Sequence, residues 1–129
     1  MMNWNLFLAV GIGGSIGAIA RFTISTWVQK SSSSLFPFGT LSVNILGSFI
    51  IGFMFLYFQH INLSPNQKAL FVTGLLGSLT TFSTFSWETL YMFQQNIWAK
   101  AFVNMGLNVF LSLGATLLGI IVFKRVYGV

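Results

Sequence analysis

Residues 74–88 read GLLGSLTTFSTFSWE, a run of glycines and hydroxyl side chains inside an otherwise apolar chain. A continuous helix over 67–95 would have about 29 residues and measure about 43 Å, more than the roughly 30 Å hydrocarbon core of a bilayer. Gly74, Gly77 and the hydroxyl residues after them are weak helix formers. The stretch could therefore supply a break of the helix inside the membrane.

A break of this kind is a candidate site, because each backbone group that it frees in lipid costs several kcal/mol unless protein, water or an ion binds it. Directly after it, Phe82 and Phe85 are three residues apart and share one face of a helix. Ser83 and Thr84 offer hydroxyl donors beside them. A phenyl ring is positive at its edge, so two inward edges can favour a small anion. The alternative is that the two rings only pack against each other.

The whole chain is that of a membrane protein. It has 129 residues, of which 55% are hydrophobic and 5% charged, and its mean hydropathy is +0.83. A soluble domain could not cover so much apolar surface. Uncharged stretches of about 20 residues predict four membrane spans in a single all-helical domain, residues 1–129. We place the spans at Trp4–Val28, Pro37–Phe58, Gln67–Gln95 and Lys100–Arg125.

The basic residues give little preference for one orientation in the membrane. With four spans, the two sides carry nearly equal numbers of Lys and Arg: Lys68, Lys124 and Arg125 on one side, and Lys30, Lys100 and the deeper Arg21 on the other. An excess of Lys and Arg normally sets orientation. The near balance predicts insertion in both orientations and an antiparallel dimer, with a pathway between subunits; otherwise a single loop charge decides one topology. The scattered charges suit anchoring at lipid headgroups and not nucleic-acid binding.

Polar side chains form stripes on the second and fourth spans, where they recur every four residues and so share a helix face. These residues are Thr40, Asn44 and Ser48 on the second span, and Asn104, Asn108, Ser112 and Thr116 on the fourth. A Ser or Thr hydroxyl can bond back to its own helix. An Asn amide has two donors and an acceptor to satisfy, so Asn44 and Asn108 are candidates for an ion path or an interhelical bond.

Two charged residues lie nearest the membrane interior, Arg21 and Glu88. Each should lie near a span end, pair with another group or face water, because an isolated charge at a span centre is unfavourable. Glu88 could be a proton-coupled carboxylate or a packing anchor. Small residues four apart, such as Gly13 with Gly17 and Ala115 with Gly119, predict closely packed helices.

Three motifs are similar to those of the Fluc (CrcB) family of small fluoride channels and, with the four-span layout, cover most of the chain. They are GGSIGAIAR at 13–21, FGTLSVNILGSFIIG at 38–52 and GLLGSLTTFSTFSWE at 74–88. The resemblance implies an antiparallel, dual-topology homodimer in the cell membrane that exports fluoride passively through two pores at the subunit interface.

The resemblance also implies roles for individual residues. Phe82 and Phe85 would line the pores, Asn44 would be a pore-side amide donor, and Ser83 and Thr84 would add hydroxyls. A break at residues 77–80 would offer the carbonyls of Gly77 and Thr80 from both subunits to one structural sodium ion. Less firmly matched, Asn108 and Ser112 would form a polar track beside the pore. The chain departs from the family pattern at Phe22, Ser78 and Asn104.

The competing function is a proton-coupled exporter similar to the small multidrug resistance family. Such proteins use a carboxylate in the first span, whereas this first span has Arg21 and no acid. A non-transporting scaffold would explain the small residues but not Asn44, Phe82 and Phe85. An enzyme is not expected, because one acid, one His and no Cys cannot build an acid and base pair or a metal cluster.

Overall fold

The computed structural model describes residues 3–129, which form helices and turns without a strand. Four segments are long and apolar enough to cross a membrane: Trp4–Ser32, Phe38–His60, Pro65–Gln94 and Trp98–Tyr127. They confirm the predicted all-helical, four-span architecture. The individual elements are α1 (Trp4–Ser32), α2 (Phe38–His60), α3 (Pro65–Lys68), a π-helix (Ala69–Leu76), α4 (Gly77–Leu79), α5 (Phe82–Gln94) and α6 (Trp98–Tyr127).

The first helix extends four residues beyond the predicted end at Val28, because Gln29 closes the turn into α2. The side-chain nitrogen of Gln29 donates to the carbonyl oxygens of Ser34 and Phe36 at 2.7 and 3.0 Å. Its side-chain oxygen accepts from the backbone N–H of Gly39 at 3.0 Å. The side-chain amide of Gln29 thus provides hydrogen-bond partners for backbone groups of the loop and of the first turn of α2. Backbone donors in the first turn of a helix otherwise lack partners.

Glycine contacts bring α1 against the first half of the third span. A side chain added at Gly13 would collide with the backbone carbonyl of Leu70, and one added at Gly17 with that of Leu75. Gly74 in turn lies against the backbone of α1 at Gly13. The prediction of small-residue packing is confirmed here, since backbones approach this closely only where no side chain intervenes.

The second and fourth spans pack in the same way. A side chain at Gly52 would meet the carbonyl of Thr116, and one at Gly119 would meet the carbonyl of Phe49. Large apolar side chains elsewhere on α6 are exposed, among them Phe110, which is 74% exposed. An exposed apolar surface of this extent suits a protein surrounded by lipid or by a second subunit.

The third span is interrupted, as predicted, but at a later position. The prediction placed the break at residues 77–80, whereas Gly77–Leu79 is still helical and the extended residues are Thr80 and Thr81. Gly77 has ordinary helical angles, φ −62° and ψ −29°. The wider turns of the π-helix before it are a second departure from a regular helix, of a kind frequent at functional sites.

Candidate functional site

A cavity of about 570 Å³ opens beside the break of the third span. It is lined by residues of α2, the third span and α6, and these include most of the predicted site residues: Asn44, Gly77, Thr80, Phe82, Phe85, Asn108 and Ser112. No charged side chain is among the lining residues of the described chain. The structure therefore brings the polar stripes and the two phenylalanines together around one uncharged space.

Asn44 connects α2 to the break. Its side-chain oxygen accepts from the backbone N–H of Thr81 at 2.7 Å, and its side-chain nitrogen donates to the carbonyl of Thr81 at 3.2 Å. The same nitrogen donates to the side-chain oxygen of Asn108 at 2.9 Å. The two hydrogen bonds that the Asn44 nitrogen donates both go to groups of the same chain. Asn44 faces the cavity as predicted, but its main contacts hold the backbone of the break.

Gly47 lies three residues further along α2. Because it has no side chain, the extended residues of the third span can lie close to α2. A side chain added there would collide with the side-chain methyl group of Thr80. Thr81 and Gly47 were both missed from the sequence as site residues. The sequence could have indicated Gly47, because it lies on the same helix face as Asn44. The role of Thr81 could not be seen in the sequence, because it depends on a contact between distant segments.

Phe82 and Phe85 lie in the first turn of α5, and both line the cavity. Their ring centroids are 5.3 Å apart with the planes at 60°, an edge-to-face arrangement. Phe82 is 77% exposed and Phe85 is 8% exposed. The rings therefore pack on each other, as one alternative held, while Phe82 also presents a large free surface at the cavity.

Ser83 and Thr84 do not line the cavity. Their hydroxyl groups lie 3.3 and 3.0 Å from the hydroxyl of Thr81, which also accepts from the backbone N–H of Thr84. This is the N-cap arrangement of a helix, and it satisfies one of the free donors at the start of α5. The hydroxyls of Ser83 and Thr84 thus contact the N-cap residue of α5, the helix that follows the break.

The two charged residues predicted to lie nearest the membrane interior, Arg21 and Glu88, do not line the cavity. One oxygen of Glu88 accepts a hydrogen bond from the Thr40 hydroxyl at 2.7 Å, linking α5 to α2. The other oxygen is buried and has no hydrogen-bond partner among residues 3–129. Arg21 lies half-buried on α1. The contact with Thr40 agrees with the packing alternative for Glu88.

Within residues 3–129, no group of three or more His, Cys, Asp or Glu side chains could hold a metal ion. Backbone carbonyls of interrupted membrane helices are another kind of ligand that can coordinate a cation.

Residues 8–120 match the model of the family described as "CrcB-like protein, Camphor Resistance (CrcB)". The chain belongs to the CrcB family. The match covers the second and third spans and most of the first and fourth, so it includes the break and every residue that lines the cavity.

Relatives in this family are similar over nearly their full length. A protein of a Nitratiruptor species is 58% identical over 127 residues, 98% of each chain. One of a Sulfurovum species is 61% identical over 123 residues, covering 95% of this chain and 97% of the relative. One of Shewanella loihica is 49% identical over 123 residues, covering 95% of this chain and 99% of the relative.

All three relatives are named "Fluoride-specific ion channel FluC". That name is of a channel and not of an enzyme, in agreement with the prediction that an enzyme is not expected. The family and the four spans together identify a multi-pass membrane protein, as predicted from composition.

Proposed function

We propose that this chain forms a passive, fluoride-selective channel whose pathway passes the cavity at the break of the third span. The observation that carries the proposal is the cavity itself, an uncharged space between the long apolar helices lined by amide, hydroxyl and phenyl groups. The names of relatives at up to 61% identity support the choice of fluoride as the ion.

The chemistry of the lining suits conduction of an anion. A bare anion in low dielectric is unfavourable by tens of kcal/mol unless donors replace its water. A Lys or Arg on the path would bind the ion too strongly to release it, whereas neutral donors and ring edges can bind and release it. Ser48 and Ser112 line the cavity, and each carries a hydroxyl donor. They are the donors that we expect to contact the ion first.

We further propose that two subunits pair antiparallel and that the dimer holds two such pathways at its interface. The near balance of Lys and Arg on the two sides supports both orientations. In one subunit the cavity is open, and Phe82 leaves 77% of its surface exposed beside it. A second copy would close the cavity and cover that ring.

A structural sodium ion at the centre of this dimer is part of the same proposal. The site would use the backbone carbonyls of Gly77 and Thr80 from both subunits, next to the point where the helix becomes extended. Neutral carbonyl oxygens of unwound membrane helices suit a monovalent cation. Prolonged exchange into sodium-free potassium buffer should reduce dimer stability and flux, with recovery when sodium returns; unchanged dimer and flux would contradict this part alone.

Efflux from liposomes tests the channel. Purified protein is placed in liposomes loaded with potassium fluoride, and valinomycin is added to release potassium while an electrode records external fluoride. Rapid fluoride loss is expected, with no chloride loss from liposomes loaded with potassium chloride. Absence of fluoride loss from verified dimers would contradict the proposal, and a proton-driven export assay for cationic drugs would then test the competing exporter.

A further inference from the structure

A chain of hydrogen-bonded side chains runs from the break of the third span into the contact between α5 and α6. Beyond Asn44 and Asn108 it contains Asn104, which is fully buried, and Thr89, which is 6% exposed. The nitrogen of Asn108 donates to the side-chain and backbone oxygens of Asn104 at 2.9 and 3.0 Å. The nitrogen of Asn104 donates to the hydroxyl of Thr89 at 3.0 Å.

At Thr89, the far end of this series of hydrogen bonds, only one arrangement of donor and acceptor is possible. The Thr89 hydroxyl donates its proton to the carbonyl of Phe85 at 2.8 Å, so toward Asn104 its oxygen can only accept. Asn104 must therefore present its nitrogen to Thr89 and its oxygen to Asn108. Asn108 must then present its nitrogen to Asn104 and its oxygen to Asn44.

At Thr81, the near end of this series of hydrogen bonds, the same arrangement of donors and acceptors is required. The backbone N–H of Thr81 needs an acceptor, which is the side-chain oxygen of Asn44 at 2.7 Å. Asn44 then has its nitrogen free to donate to Asn108. Both ends thus fix the orientation of every amide between them, and a reversed amide at any position would place two donors or two acceptors face to face.

We propose that Asn104 is a positioning residue that stabilises the extended backbone at the break through this series of hydrogen bonds. Asn104 does not line the cavity. It sets the orientation of Asn108, which sets that of Asn44, which holds the extended backbone at Thr81 directly before Phe82. The effect on conduction rests on the proposed channel function, but the effect on the Thr81 backbone does not.

The direct test is hydrogen exchange of the Thr81 backbone N–H, measured by NMR on the full-length protein in lipid nanodiscs with ¹⁵N-threonine. Asn104→Leu removes the side-chain acceptor for Asn108 and the link to Thr89, leaving only the Asn104 backbone carbonyl as acceptor. It should speed exchange at Thr81 about tenfold, the loss of roughly one good hydrogen bond. Phe123→Leu is the matched control, because Phe123 is equally buried on the same helix and lies outside the chain of hydrogen bonds. It should leave exchange at Thr81 unchanged.

Thr89→Val is the second variant, since it removes the anchoring hydroxyl at nearly constant shape and stays informative if Asn104→Leu does not fold. It should also speed exchange at Thr81, by a smaller factor. Wild-type exchange at Thr81 in either folded variant would overturn the proposal, as would equal acceleration by Phe123→Leu.

Fluoride efflux separates this inference from the channel proposal. Where wild-type protein conducts, Asn104→Leu should lower flux together with Thr81 protection, and wild-type flux despite lost protection would overturn the role of Asn104 in conduction. Where wild-type protein does not conduct, the channel proposal fails while the exchange result still decides whether Asn104 holds the break.

Discussion

The side-chain oxygen of Asn44 accepts a 2.7 Å hydrogen bond from the backbone nitrogen of Thr81, the residue at which the third span is extended. The second span thereby stabilises the break in the third. A break in lipid persists only if its backbone groups find partners. Asn44 supplies both an acceptor and a donor to a single residue of the break.

Asn44→Leu should destabilise the folded protein. The substitution leaves the Thr81 N–H and the side-chain oxygen of Asn108 without their partner, and an unsatisfied buried polar group costs about 1–3 kcal/mol. We expect a matching fall in the free energy of unfolding, measured by denaturant titration in mixed micelles, and loss of fluoride flux in liposomes.

Ser42→Ala is the control for this measurement. Ser42 lies two residues away on the same helix, and its hydroxyl donates to the carbonyl of Phe38 in its own helix at 2.7 Å. Its removal should change stability by less than about 0.5 kcal/mol. Equal stability of the Leu variant and the wild type would show that Asn44 does not hold the break.

Phe82→Ile and Phe85→Ile should each lower fluoride flux about tenfold, if ring edges contribute about 1.4 kcal/mol to binding the ion in its pathway. The two should differ in stability, because Phe85 is 8% exposed and Phe82 77% exposed in the single subunit. Phe110→Ile, an exposed ring on α6 outside the cavity, is the control and should leave flux unchanged. Near wild-type flux in both test variants would remove the rings from the mechanism.

Gly13→Ala should impair folding, whereas Gly11→Ala, two residues away on α1, should not. A methyl group at Gly13 would collide with the Leu70 carbonyl, which is backbone and cannot rotate away. Overpacking of this kind costs about 1–3 kcal/mol. At Gly11 nothing lies within 4 Å, and alanine is the better helix former by about 1 kcal/mol. The yield of monodisperse protein and its thermal unfolding compare the two; equal behaviour would contradict the observed packing of α1 on the third span.

Glu88→Gln distinguishes a channel from a proton-coupled exporter. The variant keeps an oxygen that can accept from the Thr40 hydroxyl, so the link between α5 and α2 can persist. A channel should retain passive fluoride flux that is independent of an imposed proton gradient. If the wild type accumulates fluoride or a drug against its gradient when protons flow, and the variant does not, the carboxylate has a transport role and the channel account is wrong.

Much of the fold follows from local properties of the sequence. Long uncharged apolar segments predict spans, and Gly13 and Gly119 predict close helix contacts, because in lipid only small residues let backbones approach. The cost of an unsatisfied amide in the membrane is also a local property, and it singled out Asn44 and Asn108 correctly as residues that need partners. The low helix propensity of Gly77 and of the hydroxyl-rich run after it is likewise a local property, and it indicated an interrupted span.

The exact geometry of the break does not follow from local properties. Gly77 is a weak helix former but stays helical, and the chain becomes extended at Thr80 and Thr81, where Asn44 of a distant segment satisfies the backbone. Likewise, nothing in the apolar run from Ala69 to Leu76 separates a π-helix from an α-helix. A tertiary contact with Asn44 accounts for the position of the extended residues.

The most direct test of the channel account is the reversal potential of wild-type protein in a planar bilayer with potassium fluoride at a tenfold concentration difference and equal potassium chloride on both sides. A fluoride-selective pathway should reverse at about 59 mV with the sign of an anion current. The value should not change when chloride is replaced by a larger inert anion. Reversal near zero, or with the sign of potassium, would contradict fluoride selectivity and with it the proposed function.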